Sequence, residues 1–300
     1  TSFVNGPMQA YLPDVFAPEQ LSKVNSVFQS YRSLATVIGP AIGGVILATG
    51  DVTWAFVIDA LSFVASALLL LPLPVIGPDG ESEALTARSL YRDIGEGLRY
   101  IAGSGLHRFL LMFFIPAAGI YCLSGGLMMP YAEQLLAGQH GLTGATALSL
   151  LYSTMGLGGF IGSFFIPWLM GRIGALRTLL LGAAMCVVEM LIMGALPVVS
   201  LVLSVLLITA SSLPLLLVPL FTLIQANTDA AFTGRAMGAL DTLMLATVSV
   251  SFGLGGILAD QIGLQEVFLA AGAAMLVLTL VIPQTQSYRS LRGTETDTNL

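Results

Sequence analysis

Three carboxyls, Asp241, Glu189 and Asp59, are set inside long apolar runs of this 300-residue chain. Charge is expensive in an apolar medium, so an acid kept there is a candidate for function. The chemistry it offers is proton carriage, because a carboxyl taken out of water exchanges its proton nearer neutral pH. Asp241 has Gln29 as its counterpart in an internal repeat described below. The pair suits one cavity reached from both copies; alternatively, Asp241 is a helix-end acid in water or paired with Arg235. Arg32 is placed either to meet an acidic group, on a substrate or on another helix, or to snorkel to the membrane surface. Glu133, after Pro130-Tyr131, either guards an outer mouth or caps a helix in water. For Asp59 and Glu189 a structural role as buried hydrogen-bonding groups is favoured. Tyr121, Met128, Met129 and Tyr131, with Phe221 and Gln225, are of the types that form a soft pocket for a bulky ligand.

Other chemistries lack their residues. The chain has two histidines and no Cys/His cluster, so no metal site is expected. Cys122 and Cys186 lie in apolar runs and imply no disulfide framework. There is no Gly-x-Ser-x-Gly elbow, and the single lysine, Lys23, is not in a phosphate-cradling loop. The expectation is no enzyme, no cofactor and no nucleic-acid partner.

The elements that must position the acids follow from composition. Residues are 56% hydrophobic and 9% charged, and mean hydropathy is +0.89. A soluble domain has about 25% charged residues. This chain finds its solvent in lipid. A membrane helix needs about 20 mostly apolar residues. Eight segments qualify: 22–48, 53–73, 108–132, 145–169, 177–196, 199–224, 236–259 and 265–283. In the one long connection, 74–107, Leu90, Ile94, Leu98 and Ile101 recur at helical spacing, which predicts an amphipathic helix on the membrane surface. If Lys23 is cytoplasmic and each span crosses once, all eleven Lys and Arg fall on or near the cytoplasmic side. The polar tail, 284–300, is then cytoplasmic as well.

The chain also repeats at an offset of 212 residues. Pro7 meets Pro219, Lys23 meets Arg235, Gly43-Gly44 meet Gly255-Gly256 and Phe56 meets Phe268. The offset advances six helices in the same orientation, the pattern of two parallel six-helix halves. Residues 1–73 then close the first half and 108–283 form the second. Two full copies need about 420 residues, so three spans and most of a fourth are expected before residue 1. These residues alone are then expected to be inactive.

On the 22–48 span, Asn25, Gln29, Arg32, Thr36, Gly39 and Gly43 form one small-or-polar stripe. The 145–169 span offers Gly156, Gly159 and Ser163, and such residues let helices approach closely. The two stripes are read as a sliding seam.

The stretch Ser33-Leu34-Ala35 followed by Gly39-Pro40 and Gly43-Gly44 resembles the antiporter motif on the fifth helix of the major facilitator superfamily. Together with Leu12-Pro13-Asp14-Val15, Asn25-Ser26 and Asp59-Ala60-Leu61-Ser62-Phe63, it is similar to the branch of macrolide-efflux and enterobactin-exporter proteins. Arg172, Gly174 and Arg177 lie in a stretch that resembles the family's loop motif between helices eight and nine. Ala35, Ser26 and Gly171 depart from those patterns. The resemblance implies an all-α polytopic membrane protein, a major facilitator fold fragment from the tail of helix four through helices five to twelve. It implies a monomeric secondary transporter of the bacterial cytoplasmic membrane, exporting a drug-like or siderophore-like small molecule against proton entry by alternating access. An uptake member and a channel- or scramblase-like protein are the alternatives. In that scheme Gly253, Gly255 and Gly256 pack the eleventh helix as Gly39, Pro40, Gly43 and Gly44 pack the fifth.

Overall fold

A computed structural model describes residues 12–13, 15–48, 53–71, 92, 95–97, 99–100, 102–286 and 288. Within it, only the backbone is described at 36–37, 40–48, 55, 70 and 230–231. The long helices are α1 (Pro18–Ala48), α2 (Thr53–Leu70), α3 (Gly105–Gly125), the short α4 (Met128–Tyr131), α5 (Gly144–Ile173), α6 (Ala175–Ala195), α7 (Val199–Thr209), α8 (Ser212–Ala226), α9 (Ala230–Ile262) and α10 (Leu264–Val281). No strand occurs among the described residues. The fold is all-α, and six segments among the described residues are long and apolar enough to cross a membrane.

Local chemistry sets the helix ends. Ser104 and Thr143 accept from the backbone N–H groups of His107 and Thr146, capping α3 and α5. Gly174 joins α5 to α6, and Gly263 joins α9 to α10, without an intervening loop. Their φ angles of +86° and +96° are open to glycine at little cost. Past α4, residues Ala132–Leu136 form a π turn. Gln139 then ties that connection to α7: its Nε2 donates to the Pro197 carbonyl at 2.7 Å and its Oε1 accepts from Val199 N at 3.0 Å.

One expected span is broken. The continuous 199–224 helix divides into α7 and α8 at Ala210-Ser211. The break fits because its neighbours have no side chains there. A Cβ on Gly162 would fall on Ser211, and one on Gly158 on the Leu207 carbonyl. At Gly182 on α6 it would sit 2.8 Å from the Leu215 Cβ. In lipid, where apolar burial gives little gain, such close approach is what holds helices together.

α1 packs on α5 and α8, α6 on α8 and α10, and α3 on α9. One core joins Phe113 and Phe114 of α3, Cys186 of α6, Leu216 and Leu220 of α8, and Met275 of α10. A second gathers Tyr131, Leu151, Val202 and Phe268. Met128 and Tyr131 belong to this packed cluster, and the Tyr131 hydroxyl donates to the Met193 carbonyl at 2.8 Å. They are core residues and do not line a pocket with Tyr121 and Phe221, which pack against the first core.

α2 differs from expectation too. Asp59, read as a buried acid, is exposed, as are Ile58 and Leu61. Among the described elements α2 packs mainly on α1, so nothing covers the face that carries Asp59.

Candidate functional site

The polar side chains converge where α1 meets α5 and α8. Asn25, Ser26, Gln29, Ser30 and Ser33 are buried on one face of α1. The Asn25 side-chain amide donates to Gln225 Oε1 at 2.7 Å and to Thr222 Oγ1 at 3.1 Å, both on α8. Ser22 donates to the Met170 sulfur on α5 at 3.3 Å. Ser30 satisfies itself on the Ser26 carbonyl at 2.8 Å. Two buried atoms, Asn25 Oδ1 and Ser26 Oγ, have no hydrogen-bond partner. Buried polar atoms nearly always find one, so this face is packed without being fully satisfied.

The buried face is rotated from the expected stripe. Asn25 and Gln29 are on it, but Arg32 is exposed, and so is Gly39, where an added Cβ would meet nothing within 4 Å. The side chains of Thr36 and Pro40 and the surroundings of Gly43 and Gly44 lie outside the described residues. Close approach to α5 comes through Ser33, whose Oγ is 2.9 Å from where a Gly159 Cβ would stand. Ser163 is buried and donates to the Gly159 carbonyl at 2.6 Å, and Gly156 is buried on the same helix. On α9, a Cβ added to Gly255 would stand 2.7 Å from the Leu123 carbonyl of α3, whereas one on Gly253 or Gly256 would meet nothing within 4 Å. The serines at 26, 30 and 33, at steps of four and three, were the missed signal for the buried face.

The acids lie apart. Asp241 is half-buried on α9, within electrostatic reach of Arg32 on α1. Glu189 is 1% exposed on α6 and accepts from Ser212 Oγ at 3.3 Å, at the break between α7 and α8. Tyr121 on α3 faces the same region. Glu133 is exposed on the π turn beside Gly144. Arg172 lies over the Trp168 ring at 5.3 Å, and Arg177 is exposed near the α5–α6 junction held by Gly174.

The segment of the long connection is docked on protein. Glu96 pairs with Arg235 at 2.9 Å. Gly97 rests on the Arg235 carbonyl with no room for a Cβ. Tyr100 stacks on Phe232 at 4.9 Å, and its hydroxyl accepts from Asp229 N at 3.1 Å. Its apolar positions Leu90, Ile94, Leu98 and Ile101 lie outside the described residues.

No group of three or more His, Cys, Asp or Glu side chains among the described residues is arranged to hold a metal ion. What the arrangement offers is a polar contact between helices far apart in sequence, with Glu189 at the opposite end of α8 and Asp241 on α9.

A sequence profile described as the Major Facilitator Superfamily matches residues 1–250. The multidrug efflux pump Tap of Mycolicibacterium fortuitum is 26% identical over 266 residues, covering 87% of this chain and 62% of its own length. The enterobactin exporter EntS of Escherichia coli is 29% identical over 237 residues, covering 76% of this chain and 52% of its own. The chain thus spans less than two thirds of the length of either relative. Among solved structures, the human organic anion transporter MFSD10 (TETRAN) aligns with TM-score 0.73 at 18% identity, over 92% of this chain and 67% of that one. A bacterial homologue of the iron transporter ferroportin, in an outward-facing state, aligns with TM-score 0.67 at 18% identity, over 95% and 69%. These likenesses show the fold.

Proposed function

The chain belongs to the Major Facilitator Superfamily, and on that premise we propose that it is part of a proton-coupled exporter of bulky hydrophobic or siderophore-like small molecules. The observation that carries this reading is the contact of Asn25 with Thr222 and Gln225. Alternating access needs an interface that closes one side of the membrane and later opens it. An apolar interface gains nothing from water on opening; amides and hydroxyls trade their bonds for water at small net cost. The face of α1 is built of such groups, two of them unsatisfied.

The contact belongs to the side proposed as cytoplasmic. Asn25 is about 10 Å from the start of α1, near Lys23, at 1.5 Å per residue. Gln225 is the penultimate residue of α8, ahead of Arg235 on α9. The two proposed halves, 1–73 and 108–283, meet there, and in this reading the contact is what closes the cytoplasmic side. Gln29, Arg32 and Asp241 flank the contact and would meet the substrate when it opens. Export is supported by the names of the two relatives, an efflux pump and an exporter, and the membrane location by the six apolar helices.

The test uses the full-length protein in proteoliposomes with ethidium, a lipophilic fluorescent cation. An imposed proton gradient is expected to drive dye movement above that of empty liposomes. Dye movement equal to that of empty liposomes with every gradient sign refutes the reading for this substrate class.

A further inference from the structure

We propose that Glu189, at the break between α7 and α8, carries the proton that drives transport. The inference rests on the transporter reading and deepens it by naming the coupling residue. Glu189 is 1% exposed, and Ser212, the first residue of α8, donates to it at 3.3 Å. Thr209, the last residue of α7, stands close to it, with its own hydroxyl donating to the Val205 carbonyl at 2.9 Å. The carboxyl therefore sits at the break, held from the α8 side. Tyr121 of α3 and Cys186 of its own helix lie within electrostatic reach of Glu189, and Tyr152 of α5 lies within reach of Tyr121. No Lys, Arg or His among the described residues does so. α10 also packs on α6, where Gly272 comes against Leu191, and the buried residues of α10 are Leu264, Val267, Phe268, Ala271, Gly272 and Met275.

An ionised Glu189 here is an uncompensated charge in a closed interior, so the carboxyl holds its proton in this state. As a neutral acid it has both a donor and an acceptor, matching two hydroxyls. Asp241 differs, because it is half-buried with Arg32 within reach. Depth agrees across three helices. At 1.5 Å per residue, Glu189 is about 21 Å along α6, Tyr121 about 24 Å along α3, and Ser212 about 21 Å from the end of α8. All three lie toward the side opposite the arginine-bearing loops. Inward-moving protons enter from that side in export. Glycines 158, 162 and 182 let the neighbouring helices close tightly on the break, and proton release requires that this contact loosen. When it opens, water reaches Glu189 and the proton leaves. One O–H bond breaks on the carboxyl and one forms on water, and nothing is oxidised or reduced.

The neutral amide of Glu189→Gln keeps hydrogen bonding and removes the proton. In full-length protein in proteoliposomes, E189Q is expected to keep ethidium counterflow without a proton gradient. It is expected to lose gradient-driven accumulation. E189Q that still concentrates dye on a proton gradient like the wild type overturns the proposal. Should E189Q fail to fold, infrared difference spectra of the wild type decide the matter. A protonated carboxyl band is expected to disappear between mildly acid and mildly alkaline pH, and to shift in Glu189→Asp. Absence of any such band change overturns the proposal. If the wild type moves no dye, the transporter reading falls, and the infrared result alone then supports or overturns Glu189 as a proton site.

Discussion

Replacing Asn25 with Ala removes both hydrogen bonds to α8, at 2.7 and 3.1 Å. Between membrane helices such a bond is worth about 0.6 kcal/mol on average. Two give roughly 1.2–1.4 kcal/mol, which is close to tenfold in an equilibrium constant. The loss falls on the closed state, because the amide finds water when the face opens. The open population should rise by about that factor. Ser30 is buried on the same face and reports the change. In a background with Cys122 and Cys186 replaced by Ser, Ser30→Cys is treated with a membrane-impermeant maleimide from the cytoplasmic side. Labelling is expected to be roughly tenfold faster with Asn25→Ala than without it. Gln225→Ala is expected to give a smaller increase, and the double variant less than the sum, because the two share one bond. Equal labelling rates in all four proteins would refute the view that this contact holds the closed state.

Glycine positions sort by what an added side chain would strike. Gly158→Leu is expected to destabilise the purified protein strongly, since its Cβ alone would meet the Leu207 carbonyl, whereas Gly39→Leu should leave the melting temperature nearly unchanged. Gly174→Ala forces a Cβ into φ +86°, at a cost of about 1–2 kcal/mol. A lowered melting temperature is expected there, with Gly171→Ala, which has open space, as the unaffected comparison.

Hydropathy made the helices legible, because spans long enough for lipid leave little ambiguity of period. Six of the eight expected spans correspond to single helices within a few residues, although α1 and α2 lie outside the six segments long and apolar enough to cross; the helix expected over 108–132 stops at Gly125, and Val199–Ala226 is one apolar span with a break inside it. The break at Ala210-Ser211 was not legible. The one local signal is Pro214, which lacks the N–H that would bond to the Ala210 carbonyl; the room for the break comes from other helices, in Gly158, Gly162 and Gly182. Phase was harder than period. Of the expected stripe Asn25 and Gln29 are buried while Arg32 and Gly39 are exposed, because the stripe was drawn by polarity and size. The packing follows Ser26, Ser30 and Ser33, small residues that tolerate contact in either phase. The acids show the same limit: a sequence places Asp59 and Glu189 alike in apolar runs, and only neighbouring helices separate an exposed acid from an enclosed one.

In the proposed mechanism α1 and α8 separate and rejoin during each transport cycle. The most direct measurement locks them. Asn25→Cys and Gln225→Cys are combined in the otherwise cysteine-free full-length protein and joined by a short reducible thiol cross-linker. Cross-linking is expected to stop gradient-driven ethidium transport, and reduction to restore it. A fully cross-linked protein that transports at the rate of its reduced form would contradict the claim.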